Sequence, residues 1–300
     1  SYLDYLKKAQ MTNEKPVFLV ANRQGSGADK LAISSTYQGL PVIDGVTQFL
    51  VGARCLLAYR DFQQRAVMKC DVTDQQKVDY WKRQLQDCDY VSESLASELL
   101  RDFGIPMIQS LEVSSIDELQ TAVLNVGFPL VLKTAVQGID HKTEVGGVIL
   151  NISDQRQLQD AYEDLLQRLG LAVTVAPMAD NNGVEMILGI SRDEQFGPTV
   201  VVGFGGIYAE ILSDVAVMLP PFDSAEVKRV LKSLSMYPLL EGVRGGSPLD
   251  IDSFCDVAAK MSAIALALSD SVVEIDINPV RLGVKGCIGL DALIVQEQKN

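Results

Sequence analysis

The alternation of apolar and polar positions divides the chain into three stretches. Over residues 1–66 it predicts a helix, a strand in "KPVFLVAN", a helix or loop, a short strand in "GLPVID", and a helix in "VTQFLVGARCLLAYRDFQQR". In that last helix Phe49, Ala53, Leu56 and Leu57 recur at helical spacing. Two strands do not complete a parallel sheet, which needs cover on both faces and more neighbours. The stretch therefore reads as the closing part of a larger α/β domain. Residues 67–90 are polar, mixed in charge and free of Pro and Gly, which predicts a helical connector.

From Ser92 the pattern becomes regular. "SESLASELLRDFG" reads as a helix capped by Ser92 and closed by Gly104. "SSIDELQTAVLNVG" reads as a second, with Ser115 and Glu118 at capping-box spacing and Gly127 at its end. "PLVLK" and "VGGVILNI" read as strands, and the next helix carries Leu158, Tyr162, Leu165 and Leu169 on one face. Residues 91–170 thus form one lobe. Residues 171–300 form a second, with four strands in quick succession ("AVTVAPM", "GVEMILGIS", "TVVVGFGG", "AEILSDVAVML"), two helices and a closing hairpin that turns near Lys285 and Gly286. The fold class is α/β, with the two lobes of α+β type after a partial α/β segment.

Charge changes the picture of what such a chain can bind. Its 300 residues carry a net charge of -13. That surface repels nucleic acid and anionic membranes, so a bound phosphate has to be met by a local cluster of donors. The five cysteines show no CxxC spacing and there is one histidine, which together indicate reduced thiols and no zinc site. Apolar runs stay short of the roughly 18 residues of a membrane span. A cytoplasmic protein with neither a nucleic-acid nor a membrane partner is expected. The start at Ser1 rather than Met suggests a piece of a longer protein.

Four stretches could carry chemistry. In "KTAVQGIDHKTEVGGV", Lys133 ends a strand and is followed by Gly138, His141, Lys142, Gly146 and Gly147. Glycines let the backbone approach a polyphosphate and lysines neutralise it, although a solvated turn would have the same composition. In "EIDINPVRLGVKGCIGLDALI", Asn278 and Asp291 are thirteen positions apart. A hairpin folded about residues 284 and 285 sets them opposite each other, with Asp276 on the face of Asn278. Oxygen donors placed so suit Mg²⁺; the plainer reading is a turn and an edge charge. In "TVVVGFGGIYAEILSDV", Gly203, Gly205 and Gly206 mark close approach of a ligand or of another backbone, with Glu210 and Asp214 near it or facing solvent. In "GVRGGSPLD", Arg244 suits a phosphate or carboxylate, or a structural turn.

Taken in order, "LLRDFGIP", "GFPLVLKTAVQGIDHKTEVGGV", "SRDEQFGPTVVVGFGGIYAEILSDV", "EGVRGGSPLD" and "DINPVRL…GLDALI" resemble the ATP-grasp region of the NDP-forming acyl-CoA synthetases, whose type is ADP-forming acetate–CoA ligase. The resemblance covers roughly residues 90–296. "GLPVIDGVTQFLVGARCLLAYR" is similar to the end of that family's CoA-ligase domain, a flavodoxin-like α/β segment. The resemblance implies a two-lobed ATP-grasp fold at 91–300 that takes ATP or ADP with Mg²⁺. It implies that Lys133 contacts phosphates, that His141, Lys142, Glu144, Gly146 and Gly147 form a loop over the site, and that Asn278 and Asp291 hold the metal. It places adenine near Val175, Ala176 and Met178, with Glu185 on the next strand. It makes His141 a candidate phosphoryl carrier, a role that a neutral imidazole can fill. CoA-binding and CoA-ligase domains would then be partners, in the same polypeptide or as a separate subunit, and a homo-oligomer fits the incomplete sheet at 1–66. A regulatory ATP-grasp module of a multidomain protein acetyltransferase is the second reading. A stand-alone carboxylate–amine ligase is a third, which leaves residues 16–66 unaccounted for.

Overall fold

The computed structural model describes residues 2–12, 16–22, 25, 29–64, 74–139, 142–180, 182–206, 213–243 and 245–297. The chain splits into two compact units, Ser1–Val67 and Met68–Asn300. The smaller holds α1 (Tyr2–Thr12), β1 (Leu19–Ala21), α2 (Lys30–Tyr37), β2 (Val42–Asp44) and α3 (Val46–Gln63). β1 and β2 pair in parallel, with Leu19 beside Val42. Asp29 caps α2 by accepting from the backbone N–H of Leu31 and Ala32. α3 forms as its apolar spacing predicts, yet none of its side chains is buried.

The larger unit opens with α4 (Gln75–Asp87) and α5 (Glu93–Asp102). The stretch that reads as a connector is built into this unit. Val78, Trp81 and Leu85, at helical spacing on α4, all enter its main core. The Trp81 indole Nε1–H donates to Asp102 Oδ2 at 2.7 Å, which satisfies its one polar group. Ser92 caps α5 through the N–H of Leu95, and Gly104 closes it at φ 79°.

Then come β3 (Leu111–Val113), α6 (Ile116–Val126), β4 (Leu130–Thr134), β5 (Val148–Ile152), α7 (Gln155–Arg168) and β6 (Val173–Pro177). The four strands make an antiparallel sheet in the order β3-β6-β4-β5. Its core is formed with α6 and α7 and includes Leu119, Leu132, Leu165 and Val175. The second lobe carries β7 (Val184–Asp193), β8 (Gly197–Phe204), β9 (Val215–Met218), α8 (Ser224–Leu231), α9 (Ile251–Ala267), β10 (Val272–Leu282), β11 (Cys287–Gly289) and β12 (Ala292–Gln296). Here the order is β11-β10-β7-β8-β9, with β12 also on β10. Among the described residues no helix is long and apolar enough to cross a membrane.

The lobes exchange elements relative to the boundary expected at residue 170. β6 falls after that boundary but lies in the first sheet, between β3 and β4. α5 falls before it but buries Ala96, Leu99 and Leu100 in the core of the second lobe. Sheet partners at long sequence separation decide membership, and a reading in chain order does not see them.

Candidate functional site

β4 is buried along its whole length, and its side chains alternate between two environments. Leu130 and Leu132 enter the first-lobe core. Lys133 therefore points from the opposite face, towards the second lobe. Its Nζ donates to Glu93 Oε1 at 3.0 Å and to the Leu290 carbonyl at 2.7 Å, and stands 3.4 Å from Asp291 Oδ2. Lys142 arrives from the loop after β4. Its Nζ donates to Glu93 Oε2 at 2.5 Å and to Asp291 Oδ1 at 3.5 Å. Two lysines of one lobe thus meet two carboxylates presented by the other.

The loop is shaped to deliver Lys142. Gly147 N–H donates to the Lys142 carbonyl at 2.7 Å, and its own carbonyl accepts from Thr134 N–H at 2.7 Å. A Cβ at Gly147 would stand 2.7 Å from Thr134 Cγ2, so only glycine fits without displacing β4. Gly146 has φ 63°. Arg168, at the end of α7, donates to the carbonyls of Val145 and Gly146 at 3.1 and 2.9 Å while pairing with Asp164. Glu144 is exposed on the same loop. His141 lies outside the described residues.

The closing hairpin has the expected register. Ile277 faces Ala292 and Val280 faces Gly289, which leaves Asn278 opposite Asp291. Asn278 N–H donates to the Asp291 carbonyl at 3.3 Å. Ile275 and Ile277 are buried in the core, so Asp276 and Asn278 share the other face. Gly189 on β7 serves the close approach of β10, since a Cβ there would stand 2.9 Å from the Ile275 carbonyl.

Burial and charge set the protonation of the cluster. Burial alone would raise the Glu93 carboxyl, but Lys133 and Lys142 outweigh it and hold the group below its ordinary value. For Lys142 burial works against the charged form, and Asp291 and Glu93 overcome it, so its pKa is raised. Asp291 is raised by burial and by the neighbouring Glu93, which the two lysines offset only in part. Asp276 is likewise raised by burial, with Glu274 and Asp291 adding to it. Asp276, Asn278 and Asp291 supply hard oxygen donors and carboxyls that a cation would keep ionised, and so fit Mg²⁺.

The remaining candidates divide. Val131 pairs with Ala176 and Lys133 with Thr174, so Ala176 lies on the face of Lys133. Val175 points the other way, into the first-lobe core, where only its backbone could meet a ligand. Met178 follows β6, half-buried, its N–H donating to the Pro129 carbonyl at 2.9 Å. Glu185 accepts from Arg281 Nη2 at 2.7 Å. Gly205 N–H donates to the Glu185 carbonyl, and Gly206, at φ 60°, leaves space for its carboxylate. These two glycines serve close approach of β7. Asp214 is directed away from the cluster: it accepts from the N–H groups of Ser235 and Met236 at 3.0 and 2.8 Å. Arg244 and Glu210 lie outside the described residues. Sequence reasoning missed Glu93, Arg168 and Arg281. Glu93 was hidden behind the Ser92 cap, since an acidic residue in a first helical turn is common for reasons of the helix dipole.

A family model described as the ATP-grasp domain matches residues 84–295. The β subunit of ADP-forming acetate–CoA ligase I of Pyrococcus furiosus is 33% identical over 213 residues, which are 68% of this chain and 90% of that protein. A trans-feruloyl-CoA synthase of an unknown prokaryotic organism is 34% identical over 217 residues, 69% of this chain but 31% of that protein. The chain thus spans less than a third of that longer relative. Among solved structures, the acetyl-coenzyme A synthetase 1 of Ca. Korarchaeum cryptofilum, in complex with coenzyme A and Mg-AMPPCP and with its phosphohistidine segment pointing towards the nucleotide site, is 29% identical at a TM-score of 0.64. That match covers 75% of this chain and 100% of the other.

Proposed function

This chain belongs to the ATP-grasp family of the ADP-forming acetate–CoA ligases, and on that premise we propose that it is the nucleotide-binding, phosphoryl-transferring part of an NDP-forming acyl-CoA synthetase. The whole reaction is acyl-CoA + ADP + phosphate ⇌ acid + CoA + ATP. CoA-binding and CoA-ligase domains, in the same polypeptide or a separate subunit, handle the acyl group. The observation that carries the reading is the convergence of Lys133 and Lys142 from one lobe on Asp291 of the other, beside Asn278.

ATP or ADP lies between the lobes with its base towards Ala176 and Met178 and its phosphates at Lys133 and Lys142. The ammoniums stabilise charge on the oxygens of the transferring group. Asn278 and Asp291, with Asp276 behind them, would hold Mg²⁺, which offsets further phosphate charge. His141 is the phosphoryl acceptor. Its imidazole nitrogen bonds the γ-phosphorus of ATP as the bond to the ADP oxygen breaks, and the reverse makes ATP.

Calorimetry with Mg-ADP and Mg-ATP tests the site. Micromolar, Mg²⁺-dependent binding is expected, and its loss in an Asn278→Ala, Asp291→Ala double variant. An intact chain that binds neither nucleotide refutes the reading. The carrier role predicts acid-labile phosphate from γ-labelled ATP that disappears in His141→Asn.

A further inference from the structure

Glu93 differs from the other three members of the charge cluster. Its carboxylate contacts both ammoniums at 3.0 Å or less, whereas Asp291 stands 3.4 and 3.5 Å from them. Its side chain is 7% exposed against 28% for Asp291. It also sits on a rigid base. Ala96, Leu99 and Leu100, one to two turns along α5, are completely buried in the second-lobe core. The lysines lie on a strand and a loop of the other lobe.

A free lysine side chain carries about 2 kcal/mol of rotamer entropy, so a phosphate site made of two unrestrained lysines would have to order both on binding. We propose that Glu93 is the positioning residue of the phosphate end, resting on the ATP-grasp reading of this site. Its two oxygens take one ammonium each and set the spacing between them before any nucleotide arrives. The two carboxylates divide the work. Glu93 faces the ammoniums alone, and Asp291 meets them from the strand position opposite Asn278. Lysine has three donors, and Glu93 and Asp291 accept from two of those on Lys142, which leaves a third for a phosphate oxygen.

Reaction of the nucleotide-free chain with an amine-acylating reagent, read by mass spectrometry, tests this directly. In the wild type Lys142 is expected to acylate at least about tenfold more slowly than the exposed Lys285, in keeping with a charge-assisted bond. Glu93→Gln keeps the shape and removes the charge. It should speed acylation of Lys142 about tenfold in folded protein and raise the Kd for Mg-ADP about tenfold, the scale of one charged hydrogen bond. Glu93→Asp, which keeps the charge but cannot span both ammoniums, should fall between. A carboxylate with only a structural role would lower the melting temperature and leave the Lys142 rate as it was; that result overturns the proposal. If Glu93→Gln does not fold, the charge-balanced Glu93→Gln, Lys142→Gln pair is used and the rate is read at Lys133 with the same two outcomes. If the wild type binds no Mg-nucleotide, the ATP-grasp reading fails, and the acylation rates still decide whether Glu93 places the lysines.

Discussion

Two stretches of this chain look alike on paper. Residues 133–147 and 203–214 each carry the end of a strand, two adjacent glycines and an acidic residue within a short span. In the first, Gly147 closes the loop against Thr134 so that Lys142 reaches carboxylates of the other lobe. In the second, a Cβ at Gly203 would stand 2.6 Å from the Asp214 carbonyl and from Val215 Cα, so the glycine serves the return of β9. Asp214 then caps two backbone N–H groups of its own lobe. Glycines allow close approach in both, and what approaches differs. A site arises where the polar side chains between the glycines find their partners across a lobe boundary.

The sharpest way to break that contrast is to remove the charge that crosses the boundary. Lys133→Met strips one ammonium from Glu93, Asp291 and the Leu290 carbonyl. Loss of one partner from a buried ion pair costs about 3–5 kcal/mol, and the remaining Lys142 places this case at the lower end. Mg-nucleotide binding should be lost as well. In the second stretch, Gly203→Ala forces a methyl against backbone that cannot move aside, which costs about 1–3 kcal/mol. The folded fraction of that variant should bind Mg-ADP as the wild type does. A selective loss of affinity in Gly203→Ala would mean that the second stretch also belongs to the site.

Part of this was legible in advance. The hairpin register followed from the thirteen-residue spacing of Asn278 and Asp291, because an antiparallel pair about a short turn leaves no freedom once its centre is known. Caps at Ser92 and Ser115 are local and legible from the residues alone, although Glu118 reaches back to the N–H of Ser114. The ATP-grasp family was carried by five ordered blocks. Non-local facts were out of reach. Ser92 and Glu93 look like an ordinary helix start, and nothing nearby in sequence says that Glu93 meets residues forty and forty-nine positions on. For the same reason β6 was assigned to the wrong lobe, and the 18-residue α3 gave no hint that it would bury no side chain.

A smaller effect separates the acidic residues. Asp214→Ala removes the acceptor of two N–H groups at the surface of the second lobe, where water can replace it in part. A loss of about 1–2 kcal/mol is expected in urea melts, with no change in the Kd for Mg-ADP. An altered Kd would place Asp214 in the site after all.

The smallest effect appears only with pH. The pKa of Lys142 is raised in the folded chain, with Asp291 and Glu93 outweighing the effect of burial. A raised lysine contributes stability that is complete below its unfolded value of about 10.4 and is lost as pH rises through the folded value. The stability gap between wild type and Lys142→Gln should therefore be flat from pH 7 to 10, on the order of 1 kcal/mol, and close as pH climbs further. The gap between wild type and Asp214→Ala, a change that removes no ammonium and touches only backbone N–H groups, should stay constant over the same range. If both gaps are flat to pH 11, Lys142 contributes by packing alone, and the contrast between a charge-crossing loop and a backbone-filling turn would rest on Lys133 only.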